Sequence, residues 1–192
     1  MNARACVVFL LALIGACSLK PVAKPPLAGA SIGGPFALVD QHRRAVTDRS
    51  FAGQYRIMYF GYTYCPDVCP NDMANVGAAL RLVEKERPEV ARRVVPIFVT
   101  VDPERDTPAV LGEFVSHFHP RMVGLTGSPA AVKRAADEYK VFFQRGPAAP
   151  GGYLVAHLRA TYLMSPDNKP LALLPADANG RAVADEIERW AT

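Results

Sequence analysis

At 192 residues the chain holds one domain's worth of sequence, long enough to bury a real core. Half of its residues are hydrophobic, and a formal net charge of +4 is too mild to imply a nucleic-acid partner. The basic residues are also spread out, with pairs at Arg43-Arg44 and Arg92-Arg93 and no aromatic interleaving, so the electrostatic footprint of nucleic-acid binding is absent.

The chain opens with Arg4, an apolar stretch from Val7 to Ile14, and small residues before Cys17. That is the build of a signal peptide over residues 1–16. Its apolar run falls well short of the roughly 20 residues that a spanning helix needs. Ile14-Gly15-Ala16-Cys17 resembles a bacterial lipobox, which makes Cys17 the first mature residue and the site of lipidation. On this reading the protein is exported and held on the extracytoplasmic, periplasmic side of a membrane by a lipid anchor. Residues 17–34 are rich in Pro, Gly and Ala without periodicity and read as a flexible tether, leaving 35–192 as the folded domain.

Within that domain, Phe36–Val39 and Ala45–Val46 flank a polar Asp40–Arg44 turn and predict an N-terminal hairpin. Arg56–Tyr62 is a nearly continuous run of β-forming residues, the pattern of a buried central strand. Met73, Val76, Leu80 and Val83 then recur at helical spacing, and Pro88 ends the helix they define. Val94–Val101 is the next buried strand. Thr107 before Pro108 forms an N-cap and first-turn pair for a helix with Val110, Leu111, Phe114, Val115 and Phe118 inward. Met122–Leu125 predicts a short strand, Ser128 caps a helix through about Tyr139, and a strand follows near Val141–Phe143. Gly146–Gly152 must be a loop. Tyr153–Val155, Ala160–Met164 and Leu171–Leu174 give a late hairpin around the SPDNKP turn, and a helix carrying Val183, Ile187 and Trp190 closes the chain. Strand-helix-strand repeats of this kind predict an α/β fold. A central mixed sheet with helices on both faces suits a thioredoxin-like arrangement, with the N-terminal hairpin and the late hairpin added to it.

The cysteines carry the chemistry. Cys6 leaves with the signal and Cys17 is assigned to the lipid, so Cys65 and Cys69 are the thiols of the domain. Cys65-Pro66-Asp67-Val68-Cys69-Pro70 follows a buried strand and precedes an amphipathic helix, where open α/β folds place their active loops. The prolines bias Cys65 and Cys69 away from helical geometry, which predicts a rigid loop with the helix starting near Pro70. The helix N-terminus is expected to lower the thiol pKa values. In an oxidising compartment such a pair forms a reversible disulfide or ligates a soft metal. Three residues separate these cysteines, against two in the thioredoxin redox motif. Two thiolates with one imidazole suit copper as Cu(I) or Cu(II), whereas structural zinc needs a fourth ligand, for which Asp67 is the nearby candidate. His42 reads as solvated, His117 and His119 as surface or core, and Asp102, Glu104, Arg105 and Asp106 as a capping and ion-paired loop at the cysteine end of the sheet.

FGYTYCPDVCP, VDPERDTP, the following LTGS and YLVAHLRATYLMSPDN together resemble the Sco/SenC family, over roughly Gly34 to the C-terminus. The resemblance implies a thioredoxin fold and copper held by Cys65, Cys69 and His157. It further implies a non-catalytic metallochaperone that helps assemble the binuclear copper centre of cytochrome c oxidase. The implied partners are the copper-bearing subunit of that oxidase and a periplasmic copper donor protein. Ala156 and Leu158 stand where the family more usually has Asp and Ser, the neighbours that would hydrogen-bond the imidazole. The same dithiol also fits a thiol-disulfide oxidoreductase with Cys65 and Cys69 as its redox-active pair, or a copper sensor or store.

Overall fold

The computed structural model describes residues 23–148 and 152–192. The expected signal segment 1–16, the lipidation site Cys17 and residues 17–22 of the expected tether lie outside the described residues. The elements run β1 (Ala37–Asp40), β2 (Ala45–Thr47), a 3-10 turn (Asp48–Phe51), β3 (Tyr55–Gly61), α1 (Val68–Glu86), α2 (Pro88–Ala91) and β4 (Val94–Thr100). They continue through α3 (Pro108–Ser116), β5 (Val123–Thr126), α4 (Pro129–Glu138), β6 (Phe143–Arg145), β7 (Val155–His157), β8 (Thr161–Met164), β9 (Pro170–Leu173) and α5 (Gly180–Trp190).

Seven strands form one sheet in the order β2-β1-β5-β4-β3-β8-β9. The β3–β4 and β4–β5 pairs are parallel and the rest antiparallel, giving the mixed sheet the sequence predicts. Every residue of β3 is buried, as a strand covered on both faces requires. Alternation along β3 assigns the two layers: Tyr59 bonds Asp72 of α1 and stacks on Phe98, while Phe60 packs on Tyr139 at the end of α4. The first face also carries α3, whose Phe118 follows it and offers its carbonyl to Arg81 of α1, and α5, whose Gly180 lies against Ala78. The thioredoxin-like architecture therefore follows from the pattern of buried strands and covering helices.

The capping residues act as their chemistry dictates. Thr107 and Ser128 accept from the amides of Val110 and Ala131, with proline in the first turn of α3 and of α4, and Asn179 caps α5. The short α2, beginning at Pro88, carries too few residues to show a period and was invisible to the sequence pattern. Two further differences bear on the site. The stretch 153–157 does not join the late hairpin: among the described residues β7 pairs only with β6, in a separate two-stranded ribbon, while β8 and β9 form the hairpin and β8 pairs with β3. The chain also lies on the domain from before residue 35. Leu27 donates to Leu171, Gly33 donates to the Glu138 carbonyl, and Leu27 and Ile32 pack against the core.

The Tyr59–Phe98–Phe114 stack fills the layer beneath the cysteine loop, with ring separations of 5.9 Å and 4.9 Å. Phe98→Ala is expected to lower unfolding stability by about 3–5 kcal/mol, read as a shift in the urea midpoint at unchanged slope.

Candidate metal centre

The end of β3 and the start of α1 build the cysteine arm. β3 closes at Gly61, and a β-carbon there would stand 2.9 Å from the Cys69 sulfur, so the strand end and this thiol are in close apposition. The Cys65 amide donates to the Tyr62 carbonyl, and Cys65 then offers its sulfur to the Cys69 amide at 3.4 Å. That amide is one of the donors a helix start leaves without a partner. The expected helix start near Pro70 is corrected by two residues: α1 begins at Val68, and Cys69 sits in its first turn while Cys65 stays in the loop. Pro70 does not obstruct this, because an amide in the first turn has no helical acceptor to lose.

A buried carboxylate fixes the approach to this loop. Asp106, fully buried, accepts from the amide and hydroxyl of Thr63 at 3.0 and 2.6 Å and from the Thr100 hydroxyl at 2.6 Å. Burial raises its pKa even against these donors. In the same loop Arg105 pairs with Asp102 and lies over the rings of Tyr62, Tyr64 and Tyr153. The charged segment Asp102–Asp106 thus carries the local ion pair expected of it, but the expected capping falls to Thr107 instead, and the segment touches both flanks of the site.

His157 arrives from the other side, at the end of β7. Its ring meets the rings of Tyr59 and Tyr62 edge-on at 6.3 and 6.0 Å. Nδ1 lies 3.3 Å from the Leu158 carbonyl and Nε2 lies 3.5 Å from the Cys69 sulfur. The backbone of Leu158 therefore takes the role that its side chain and that of Ala156 cannot play. With Nδ1–H donating to that carbonyl, Nε2 keeps a free lone pair. Burial lowers the His157 pKa, so the imidazole is neutral at pH 7 and ready to coordinate.

One donor atom from each of Cys65, Cys69 and His157 lies within 4.8 Å of the others, and this trio is the cluster of potential ligands among the described residues. An ion bonded to all three at roughly 2.0–2.3 Å holds its donors about 4 Å apart, so the trio needs only a small contraction to close on a soft metal ion. Both thiols are free. Asp67 is exposed, accepts from Asn71 at 2.7 Å and is not part of the cluster, so it offers no fourth ligand for structural zinc. His42 and His117 are exposed, and His119 is buried against Glu84, apart from the trio. The opening over Cys65 and His157 is a cavity of about 390 Å³ lined in part by exposed Leu154, and Tyr64 and Leu158, next in sequence to Cys65 and His157, are exposed as well. No helix among the described residues is long and apolar enough to cross a membrane.

The expectation of a lowered thiol pKa is overturned at Cys69. Its side chain has no solvent exposure, and burial pushes the thiol up to about 12 despite its place at a helix start. Desolvation of a buried thiolate outweighs the partial charge of the helix end. Sequence reasoning also missed Asp72, a turn beyond Cys69 and buried, which accepts from Tyr59 and from both nitrogens of the Arg159 fork. The available sign was a lone carboxylate next to Met73 on the apolar stripe of α1.

Fold and site together define a thioredoxin-like domain with a dithiol–imidazole cluster at the carboxyl end of its central strands. Residues 24–192 match the family model described as SCO1/SenC, and the chain belongs to that family. It is 42% identical over 161 residues to the protein SenC of Rhodobacter capsulatus, covering 83% of this chain and 71% of that one. It is 42% identical over 147 residues to the mitochondrial SCO1 homolog 1 of Arabidopsis thaliana, covering 76% of this chain but spanning only 43% of the relative's length. Among solved structures it is similar to Arabidopsis thaliana ScoI with copper bound, at TM-score 0.77 and 36% identity, over 82% of this chain and 97% of that one. Bradyrhizobium japonicum ScoI with copper bound gives TM-score 0.75 and 38% identity, over 83% and 99%.

In the metal-free protein the Cys69 thiol of a Cys65→Ser variant is expected to react with iodoacetamide far more slowly than the Cys65 thiol of a Cys69→Ser variant. Its rate should still be climbing with pH well above neutral, because burial, the chief cause that holds the Cys69 thiol high, remains in the variant. Mass spectrometry of timed samples reads both rates.

Proposed function

We propose that this protein is an exported, membrane-anchored copper metallochaperone that carries copper to cytochrome c oxidase and helps assemble its binuclear copper centre. The observation that carries the reading is the convergence of the Cys65 and Cys69 sulfurs with a His157 nitrogen within 4.8 Å. Two soft thiolates select copper, and a neutral imidazole accepts it as Cu(I) or Cu(II). A three-donor site with an open side permits the ligand exchange that handover to the oxidase's copper-bearing subunit requires, and equally receipt from a periplasmic donor protein. The exposed side chain of Leu154 at the opening, with Tyr64 and Leu158 exposed next in sequence to Cys65 and His157, suits a protein partner. Copper-bound structures of the Arabidopsis and Bradyrhizobium relatives support the choice of metal. Cys17 is the proposed lipidated residue and residues 1–16 the cleaved signal, and the chain that follows Cys17 leads to a domain it already joins at Leu27.

A second activity is favoured by the two free thiols. Cys65 is the more exposed of the pair and attacks a partner disulfide, forming a mixed disulfide and releasing one partner thiol. Cys69 then displaces the second partner thiol. Two electrons and two protons pass to the partner as Cys65–Cys69 closes. This accessory thiol-disulfide chemistry would ready the cysteines of a copper acceptor.

The purified full-length chain is expected to bind one copper ion per molecule. His157→Ala should lose about tenfold to a hundredfold in affinity and change the Cu(II) absorption spectrum. Wild-type protein that holds no copper, or a His157→Ala variant with unchanged affinity and spectrum, refutes the three-ligand site. Membrane fractionation tests the anchor: Cys17→Ser should move the protein from the membrane to the soluble fraction.

A further inference from the structure

The cysteines are held by β3 and α1, but His157 sits on β7, which pairs only with the short β6 outside the main sheet. A two-stranded ribbon of this length is marginal by itself. Tyr153 donating to Asp102 at 2.7 Å and Arg145 paired with Glu104 at 2.8 Å tie its outer end to the loop after β4, and the His157 end has a tie of its own to the cysteine helix. Two residues beyond His157, Arg159 aims its fork at Asp72. Nε meets Oδ2 at 2.8 Å and Nη2 meets Oδ1 at 2.5 Å. Asp72 lies three residues after Cys69 on α1 and is 1% exposed. Tyr59 of β3 donates to the same carboxylate at 3.0 Å, and its ring also touches His157. Central strand, cysteine helix and histidine strand therefore converge on one buried carboxylate.

We propose that Asp72 and Arg159 are positioning residues that latch the histidine arm to the cysteine helix and so complete the three-donor copper site. The latch rests on the copper reading above. It acts through His157: neither residue is placed among the ligands, and the bidentate geometry fixes orientation as well as distance. Without the fork, Asp72 keeps only the Tyr59 hydroxyl and the β7–β8 connection is released from α1. Copper then finds two thiols and a loosely held imidazole.

The test uses the full-length protein with Arg159→Met, which keeps the aliphatic stem, and Arg159→Lys, which keeps the charge but not the fork. Copper affinity is measured by chelator competition, and the Cu(II) absorption spectrum is recorded. Arg159→Met should lose about tenfold to a hundredfold in affinity and take on the spectrum of His157→Ala, with Arg159→Lys in between. In a His157→Ala background Arg159→Met should cost nothing further, because a residue acting through His157 has nothing left to position. A metal-free reading runs in parallel. The Leu158 amide, bonded to the Phe142 carbonyl at 2.8 Å, should exchange about tenfold faster with solvent in Arg159→Met. Wild-type affinity in the folded Met variant, or an undiminished loss in the His157→Ala background, overturns the latch. If the Met variant does not fold, full wild-type affinity and spectrum in Arg159→Lys overturn it. A wild-type chain that binds no copper refutes the copper reading, and unchanged exchange at Leu158 then refutes the latch as well.

Discussion

The parallel register of β3 with β4, from Tyr55 opposite Val94 to Gly61 opposite Thr100, ends both strands at one level, and the site hangs from that level. The loops that leave them emerge side by side. Asp106 can then bond Thr63 beyond one strand and Thr100 at the end of the other. A slip of a single residue would turn every side chain of a fully buried strand to the wrong face, so the register is strongly enforced. Through it the hydrophobic core sets the position of Cys65, although that cysteine is in a loop.

From this follows the electrostatic character of the dithiol. A thiol as deeply buried as Cys69 keeps its proton at neutral pH, and the positive charge that would stabilise its thiolate is absent until a metal ion arrives. Binding therefore exchanges protons for the ion, which couples occupancy to pH. The neutral imidazole contributes no proton at pH 7. Cys69 is thus a protonated thiol in the empty site and a thiolate once the ion is bound.

The two arms differ in how they are held. The cysteine arm is set by sheet register, helix start and a close contact at Gly61. The histidine arm has a short ribbon, the aromatic edges of Tyr59 and Tyr62, and side-chain ties from Tyr153 to Asp102, Arg145 to Glu104 and Arg159 to Asp72. The cysteine arm is thus held mainly through the backbone and the histidine arm mainly through side chains.

The sequence by itself determined the sheet, most helices and their caps, because continuous apolar runs, helical spacing and Thr-Pro or Ser-Pro pairs are local signals that burial reinforces. It also marked Cys65 and Cys69, whose spacing and place after a buried strand are local as well. His157 was legible only through family resemblance, since a histidine beside Ala156 and Leu158 carries no local sign of ligation. Tertiary structure alone decided that β7 leaves the main sheet for β6, that Leu158 supplies its carbonyl to the imidazole, and that Asp72 meets Arg159 across 87 positions of sequence. It also reversed the direction of the Cys69 pKa. Helix placement favours the thiolate and can be read from sequence order, but desolvation depends on everything packed around the sulfur.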